Sequence, residues 1–176
     1  MKKIFTSTLL ILLFFPFSGN SQETPNSEDL QLKNGAREIM LAAGTCSLIT
    51  LDENGEAKAR AMDPFEPEED FTIWFGTNSK SRKVNQIKND PRVTLYYLDK
   101  DASGYVVIYG KAELINNPEA KKKWWKNAWE DFYQNKENDY LLIKVTPQSL
   151  EILSPPREIN NDPCTWRPPI LIFKTK

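Results

Sequence analysis

The sequence predicts a mainly β protein, an antiparallel barrel with two or three peripheral helices. Three observations lead there. About seven short segments are rich in β-branched and aromatic residues. Between them fall Asn54-Gly55, Pro147, Pro155-Pro156 and Pro168-Pro169, the residues that turn or interrupt strands. Helical periodicity is confined to a few stretches, so the alternation of strand and helix that builds a parallel sheet is missing.

Taken in order, Lys2 and Lys3 precede an apolar run over 4–17, and a small polar stretch follows over 18–22. That order of charge, apolar run and small residues is expected of a secretory signal peptide, cut near Ser21. The run is shorter than the ~20 residues of a membrane-spanning helix, so no stable membrane span is expected after cleavage. Residues 1–21 are thus assigned to the signal, 22–27 to a polar lead-in, and 28–176 to one domain. The protein is expected to be periplasmic or secreted. Losing two lysines leaves 21 basic against 24 acidic residues, a mature charge of −3.

Ser27, Glu28 and Asp29 read as an N-cap and acidic first turn of an amphipathic helix carrying Leu30, Ala36, Ile39, Met40 and Ala43 and ending at Gly44. A hairpin follows, 45–51 and 57–62 around Asn54-Gly55. Residues 71–77 form a strand, 79–89 a short helix, 92–98 a strand, and 105–115 the longest apolar strand. Asn117-Pro118 opens a helix whose Trp124, Trp125, Ala128, Trp129, Phe132 and Tyr133 recur as one core-facing stripe. Strands at 140–145, 149–153 and 170–173 complete the set.

With 40% hydrophobic and 27% charged residues the chain is globular, and its formal charge of −1 gives no overall field for nucleic acid or anionic lipid. It contains no histidine, which excludes Ser-His-Asp and Cys-His nucleophile pairs, His-ligated zinc and His-ligated haem. Cys46 and Cys164 form either one disulfide or two thiols.

The informative segment runs from Ile73 through Trp74-Phe75-Gly76-Thr77-Asn78-Ser79-Lys80-Ser81-Arg82-Lys83 to Asn89-Asp90-Pro91-Arg92-Val93. A strand ends in hydroxyl and amide residues, and Ser81, Arg82 and Lys83 open a helix. Free N–H groups at a helix start, two cations and two hydroxyls are what a phosphate dianion needs. A basic helix start facing solvent is the alternative.

Thr-Asn-x-x-Ser-Arg-Lys after a strand, followed by a helix and Asn-x-Pro-x-Val, resembles the FMN-phosphate segment of the pyridoxamine 5'-phosphate oxidase family. It is especially similar to the general stress protein members. Arg60-Ala61-Met62 resembles that family's Arg-x-Met/Val strand, and 105–113, ending Gly110-Lys111-Ala112-Glu113, its Gly-x-Ala-Glu strand. The resemblance covers about 28–153 and implies an FMN-binding split barrel. It implies that Arg60, Arg82 and Lys83 bind the FMN phosphate with Ser81 and Thr77. Residues 60–62 (Arg60, Ala61, Met62) and 75–78, among them Phe75, Thr77 and Asn78, would line the ring and ribityl chain, with Tyr105 near the cofactor. It further implies a homodimer with flavin between subunits, a small-molecule electron donor or substrate, and FMN-dependent redox chemistry. Two departures oppose pyridoxamine phosphate as substrate. The substrate-phosphate lysine of true oxidases falls near Phe65, beside the acidic run 66–70, and their C-terminal Arg-x-His element cannot exist without histidine. A flavin binder without turnover, or a split barrel handling haem, are the competing expectations.

Four other signals are set aside. Gly104 to Gly110-Lys111 has the wrong spacing for a P-loop. Asp52-x-Asn54-Gly55 has its glycine too early for a calcium loop. Lys121-Lys122-Lys123-Trp124-Trp125-Lys126 interleaves basic and aromatic residues like a single-strand nucleic-acid binder, but its aromatics share one helical face, so core packing with a basic edge is favoured and no nucleic-acid partner is expected. Trp166-Arg167 reads as a packed tail, with a flavin cap from a partner subunit as the alternative.

Overall fold

The computed structural model describes residues 26–174, so the signal peptide assigned to 1–21 lies outside the described residues. Helix α1 (Ser27–Ala43) starts one residue earlier than the sequence suggests, with the Asn26 side chain accepting from the Glu28 amide, and it stops where Gly44 turns left-handed at φ 67°. Its buried face, Leu32, Ala36, Ile39 and Met40, rests on the sheet.

The strands are β1 (Cys46–Leu51), β2 (Ala57–Met62), β3 (Ile73–Asn78), β4 (Arg92–Leu98), β5 (Tyr105–Ile115), β6 (Tyr140–Leu153) and β7 (Ile170–Ile172). All pairings are antiparallel, in the order β2-β1-β4-β5-β6-β3, with β7 beside β6. The sheet curls until its two ends approach: just beyond β2, Pro64 bridges to Phe75 of β3. The result is a split barrel, open between β2 and β3, with helix α2 (Arg82–Asn89) packed against β1 and β5 and reaching Arg60 of β2 through Gln86. Its interior holds Leu48, Ile73, Phe75, Leu95, Ile108, Ile143 and Leu150, all fully buried. Truncating any one of the leucines or isoleucines among them to Ala costs roughly 2–5 kcal/mol.

Two expectations are corrected. The segments 140–145 and 149–153 are one strand, β6, and Pro147 does not end it. Instead the pairing with β5 shifts register at Tyr109/Gly110, and Pro147 lies opposite Gly110 at that irregularity, where a residue lacking an N–H is tolerated. Gly110 is required there, because a Cβ would meet the Thr146 carbonyl at 2.5 Å.

The expected helix over 117–133 is also broken. Helix α3 (Pro118–Lys123) stops at Trp124, a single tight turn covers Asn127–Trp129, and α4 (Lys136–Asp139) leads into β6. The surface beneath explains the break. The outward face of β3 and β6 presents Trp74, Gly76, Tyr140 and Leu142, and the broken chain lets Trp124, Trp125 and Trp129 converge on it. Trp129 packs so closely over Gly76 that a Cβ there would lie 2.4 Å from the indole. A straight helix would have aligned Trp124 with Phe132, yet Phe132 is exposed. The aromatics therefore form a satellite cluster outside the barrel.

Candidate functional site

Strand register sorts residues by face. Arg60, Leu48, Leu95 and Ile108 stand in one row, and the last three are fully buried, so Arg60 points into the barrel at its open side. There its guanidinium donates to Thr50 Oγ1 (2.7 Å), Gln86 Oε1 (2.8 Å) and the Leu48 carbonyl (3.3 Å). Thr50 Oγ1 also donates to Gln86 Oε1 (2.6 Å), so a buried hydroxyl and a buried amide from α2 hold the arginine in one orientation. Sequence reasoning missed both. The available signals were Thr50 at an inward position of an otherwise apolar row, and Gln86 one helical turn after Arg82 among the buried Val84 and Ile87.

Across the gap, β3 ends with Thr77 facing inward. Its hydroxyl lies 3.1 Å from Ser81 Oγ and accepts from Lys83 Nζ at 3.0 Å. The Ser81 side chain at the N-cap of α2 caps no amide and the first turn holds no acidic residue, so, although the Ser81 and Val84 amides bond to backbone carbonyls, the helix start keeps its partial positive charge.

Three cations meet here. Burial holds the Arg60 guanidinium below its ordinary value, with the Arg82 charge adding to the effect. Burial likewise lowers the Lys83 ammonium, and Arg60 lowers it further. Among the described residues no ion pair includes Arg60, Arg82 or Lys83. Arg60 and Lys83 are half-buried and Arg82 is exposed beside them, a set of like charges whose chemistry suits an anion. No group of three or more Cys, Asp or Glu among the described residues is placed to hold a metal ion.

The remaining predicted residues separate. Ala61 is exposed on the outward face, while Met62 is partly buried and packs on the core. The Phe75 side chain is fully buried in the core, so a ligand in the gap can meet only its backbone. Asn78 turns the chain, its side chain accepting from the Lys80 amide. Tyr105 stands apart from the cradle within one copy of the chain. It lies three strands from Arg60 and on the opposite face, stacked on Tyr96 at 5.8 Å between ring centroids.

The segment after β2 differs in kind from a phosphate site. Phe65 packs edge-on against Trp124 and Trp129. Glu68 accepts from Trp74 Nε1 (3.1 Å), and Arg37 clamps the Pro67 and Glu68 carbonyls (2.7 and 2.8 Å). Lys126 is spent on Asp63 at 2.6 Å. Among the described residues, the cations beside this segment are held by its own carbonyls and carboxylates. Cys46 is a buried thiol and Cys164 an exposed one, which settles the disulfide question in favour of two thiols.

A curled antiparallel sheet whose gap is lined by unpaired cations defines a split-barrel protein with an anion cradle. The chain belongs to the Pyridoxamine 5'-phosphate oxidase like family, whose model matches residues 33–154. It is similar to General stress protein 26 of Bacillus subtilis (strain 168), with 28% identity over 112 residues, 61% of this chain and 78% of that protein. Over 88 residues it is 34% identical to the pyridoxine/pyridoxamine 5'-phosphate oxidase of Escherichia coli O9:H4 (strain HS), a match spanning 49% of this chain and only 40% of that enzyme. Among solved structures, General Stress Protein 26 from Bacillus anthracis str. Sterne superposes with a TM-score of 0.64 at 24% identity, covering 81% of this chain and 98% of that one. That likeness is one of fold.

Proposed function

We propose that this protein binds FMN and is an exported flavin-dependent oxidoreductase, not a pyridoxamine phosphate oxidase. The observation that carries the reading is the cradle of Arg60, Arg82 and Lys83 with Thr77 and Ser81, three cations and two hydroxyls with no carboxylate among them. A phosphate dianion fits that donor set. Bound FMN would supply the hydride chemistry. The chain's own contribution is to fix the cofactor: Thr50 and Gln86 orient Arg60, Thr77 orients Lys83, and the backbone of 75–78 forms the wall. Among the described residues no carboxylate pairs with the cradle cations, which suits either hydride transfer governed by orientation or a flavin binder without turnover. Haem is disfavoured, since the chain offers no histidine.

A homodimer belongs to the same reading. Tyr105 reaches a cradle only if a second copy presents it, and the outward face around it carries Tyr109, Ile170 and Ile172 at 39%, 51% and 69% exposure. The test is an absorbance spectrum with FMN and a dissociation constant from fluorescence quenching, for the wild type and Lys83→Ala. Flavin bands with at least tenfold weaker binding by the variant are expected; equal affinity sinks the cradle. Reduction of the bound flavin by NADH or NADPH then separates enzyme from binder, and N-terminal mass spectrometry of the periplasmic fraction tests export.

A further inference from the structure

The tract Lys121-Lys122-Lys123-Trp124-Trp125-Lys126 acquires a second meaning once its helix is seen to break. A cavity of about 510 Å³ lies between α3, α4 and the start of β6, lined by Lys121, Lys122, Trp125, Lys136, Glu137 and Tyr140 among others. That is the size range of small-molecule sites, which join a mostly apolar wall to a few placed polar groups. The wall here is Trp125 set edge-on to the buried Tyr140, 5.1 Å between centroids at 90°. Tyr140 is anchored by donating its hydroxyl to the Trp124 carbonyl.

The charges at the cavity are three ammonium groups against the Glu137 carboxylate in the lining and Glu130, which pairs with one of them. Lys121 Nζ donates to the Glu137 backbone carbonyl at 2.9 Å, which fixes the ammonium without neutralising it. Lys136 is shared between Glu130 at 2.7 Å and the Trp125 ring, 4.3 Å to the centroid. Lys122 has no carboxylate partner among the described residues.

This cavity is separate from the cation cradle. Thr77 faces the gap, whereas Gly76 and Asn78 face outward, and Asn78 pairs with Tyr140 of the cavity wall, so the two sites lie on opposite faces of β3. We propose that the cavity binds a small planar aromatic acid, its ring against Trp125 and Tyr140 and its negative charge among Lys121, Lys122 and Lys136. A pocket of this size suits a one- or two-ring molecule better than an extended single strand, which needs a groove with successive stacking platforms.

The experiment is isothermal titration of the purified protein with 2-naphthoate, 2-naphthamide, octanoate and a ten-residue oligothymidylate. The proposal expects 2-naphthoate to bind about tenfold more tightly than the neutral amide, as charge-assisted hydrogen bonds of ~1.5 kcal/mol imply, and more tightly than octanoate. Lys121→Gln with Lys122→Gln should remove that preference while the melting temperature holds, and Lys83→Ala should leave naphthoate binding intact. Equal affinity for acid and amide overturns it, as does equal affinity for octanoate, tighter binding of the oligonucleotide, or loss of naphthoate binding on Lys83→Ala. The Lys83→Ala arm keeps this site distinguishable from the FMN reading, on which it does not depend.

Discussion

Arg60 and Arg157 are both held by three acceptors, yet they are opposites. Arg157 donates to Glu38 (2.9 Å), Asp99 (2.7 Å) and Ser154 (2.9 Å), and those carboxylates raise its affinity for its proton. Arg60 is held only by neutral groups and faces Arg82 and Lys83, so burial and like charge lower it. The first cation is neutralised and ties α1 to the segment after β6. The second is oriented but left charged. On the proposed reading, the three cations left without a carboxylate in the gap are the ones reserved for an external anion.

Four changes break or sharpen the contrast. Arg157→Met should cost the most stability, about 3 kcal/mol, because it leaves the buried Asp99 carboxylate with the Lys100 amide but no counter-charge; urea unfolding measures it, with FMN affinity unchanged. Arg60→Met should do the reverse, weakening FMN binding roughly tenfold to a hundredfold through loss of a charge-assisted contact worth ~1.5–3 kcal/mol, while leaving the ligand-free melting temperature unchanged or raised. A ligand-free protein that melts well below the wild type would show Arg60 to be structural after all. Gln86→Leu keeps the charge but removes its guide, so FMN affinity should fall only about fivefold, for a loss of ~1 kcal/mol.

The smallest effect is on pH dependence. Because the folded Lys83 holds its proton less tightly than the unfolded chain, stability should rise with pH from the folded pKa up to 10.5 and then level off. Burial pushes the Cys46 thiol up to about 12, so above 9.0 that group makes stability fall with pH. Comparing wild type with Lys83→Met cancels the cysteine, and the variant should lack the rising component.

Legibility tracked how local the determining physics was. All seven strand regions could be read from β-branched residues and turn chemistry, and Thr77, Ser81, Arg82 and Lys83 from a strand running into a helix start. The helix over 117–133 was misread because the aromatics answer to the outward face of β3 and β6, and a stripe of Trp at helical spacing carries no sign of that surface. The separation of Tyr105 from Arg60 within one chain is not encoded locally either: face depends on register with β4, which the residue types around it do not specify. Thr50 and Gln86 were invisible until Arg60 was in place between them.

The gap itself has a consequence for when the cradle exists. Arg60 and Thr77 are close in sequence, yet β2 and β3 are the two ends of the six-strand path, so they face each other only after β1, β4, β5 and β6 have all paired and curled. No partly folded fragment contains both halves of the cradle. On the proposed reading, ligand loading follows closure of the whole sheet, and every increment of ligand affinity is returned as resistance to global unfolding, growing as the logarithm of ligand concentration over Kd.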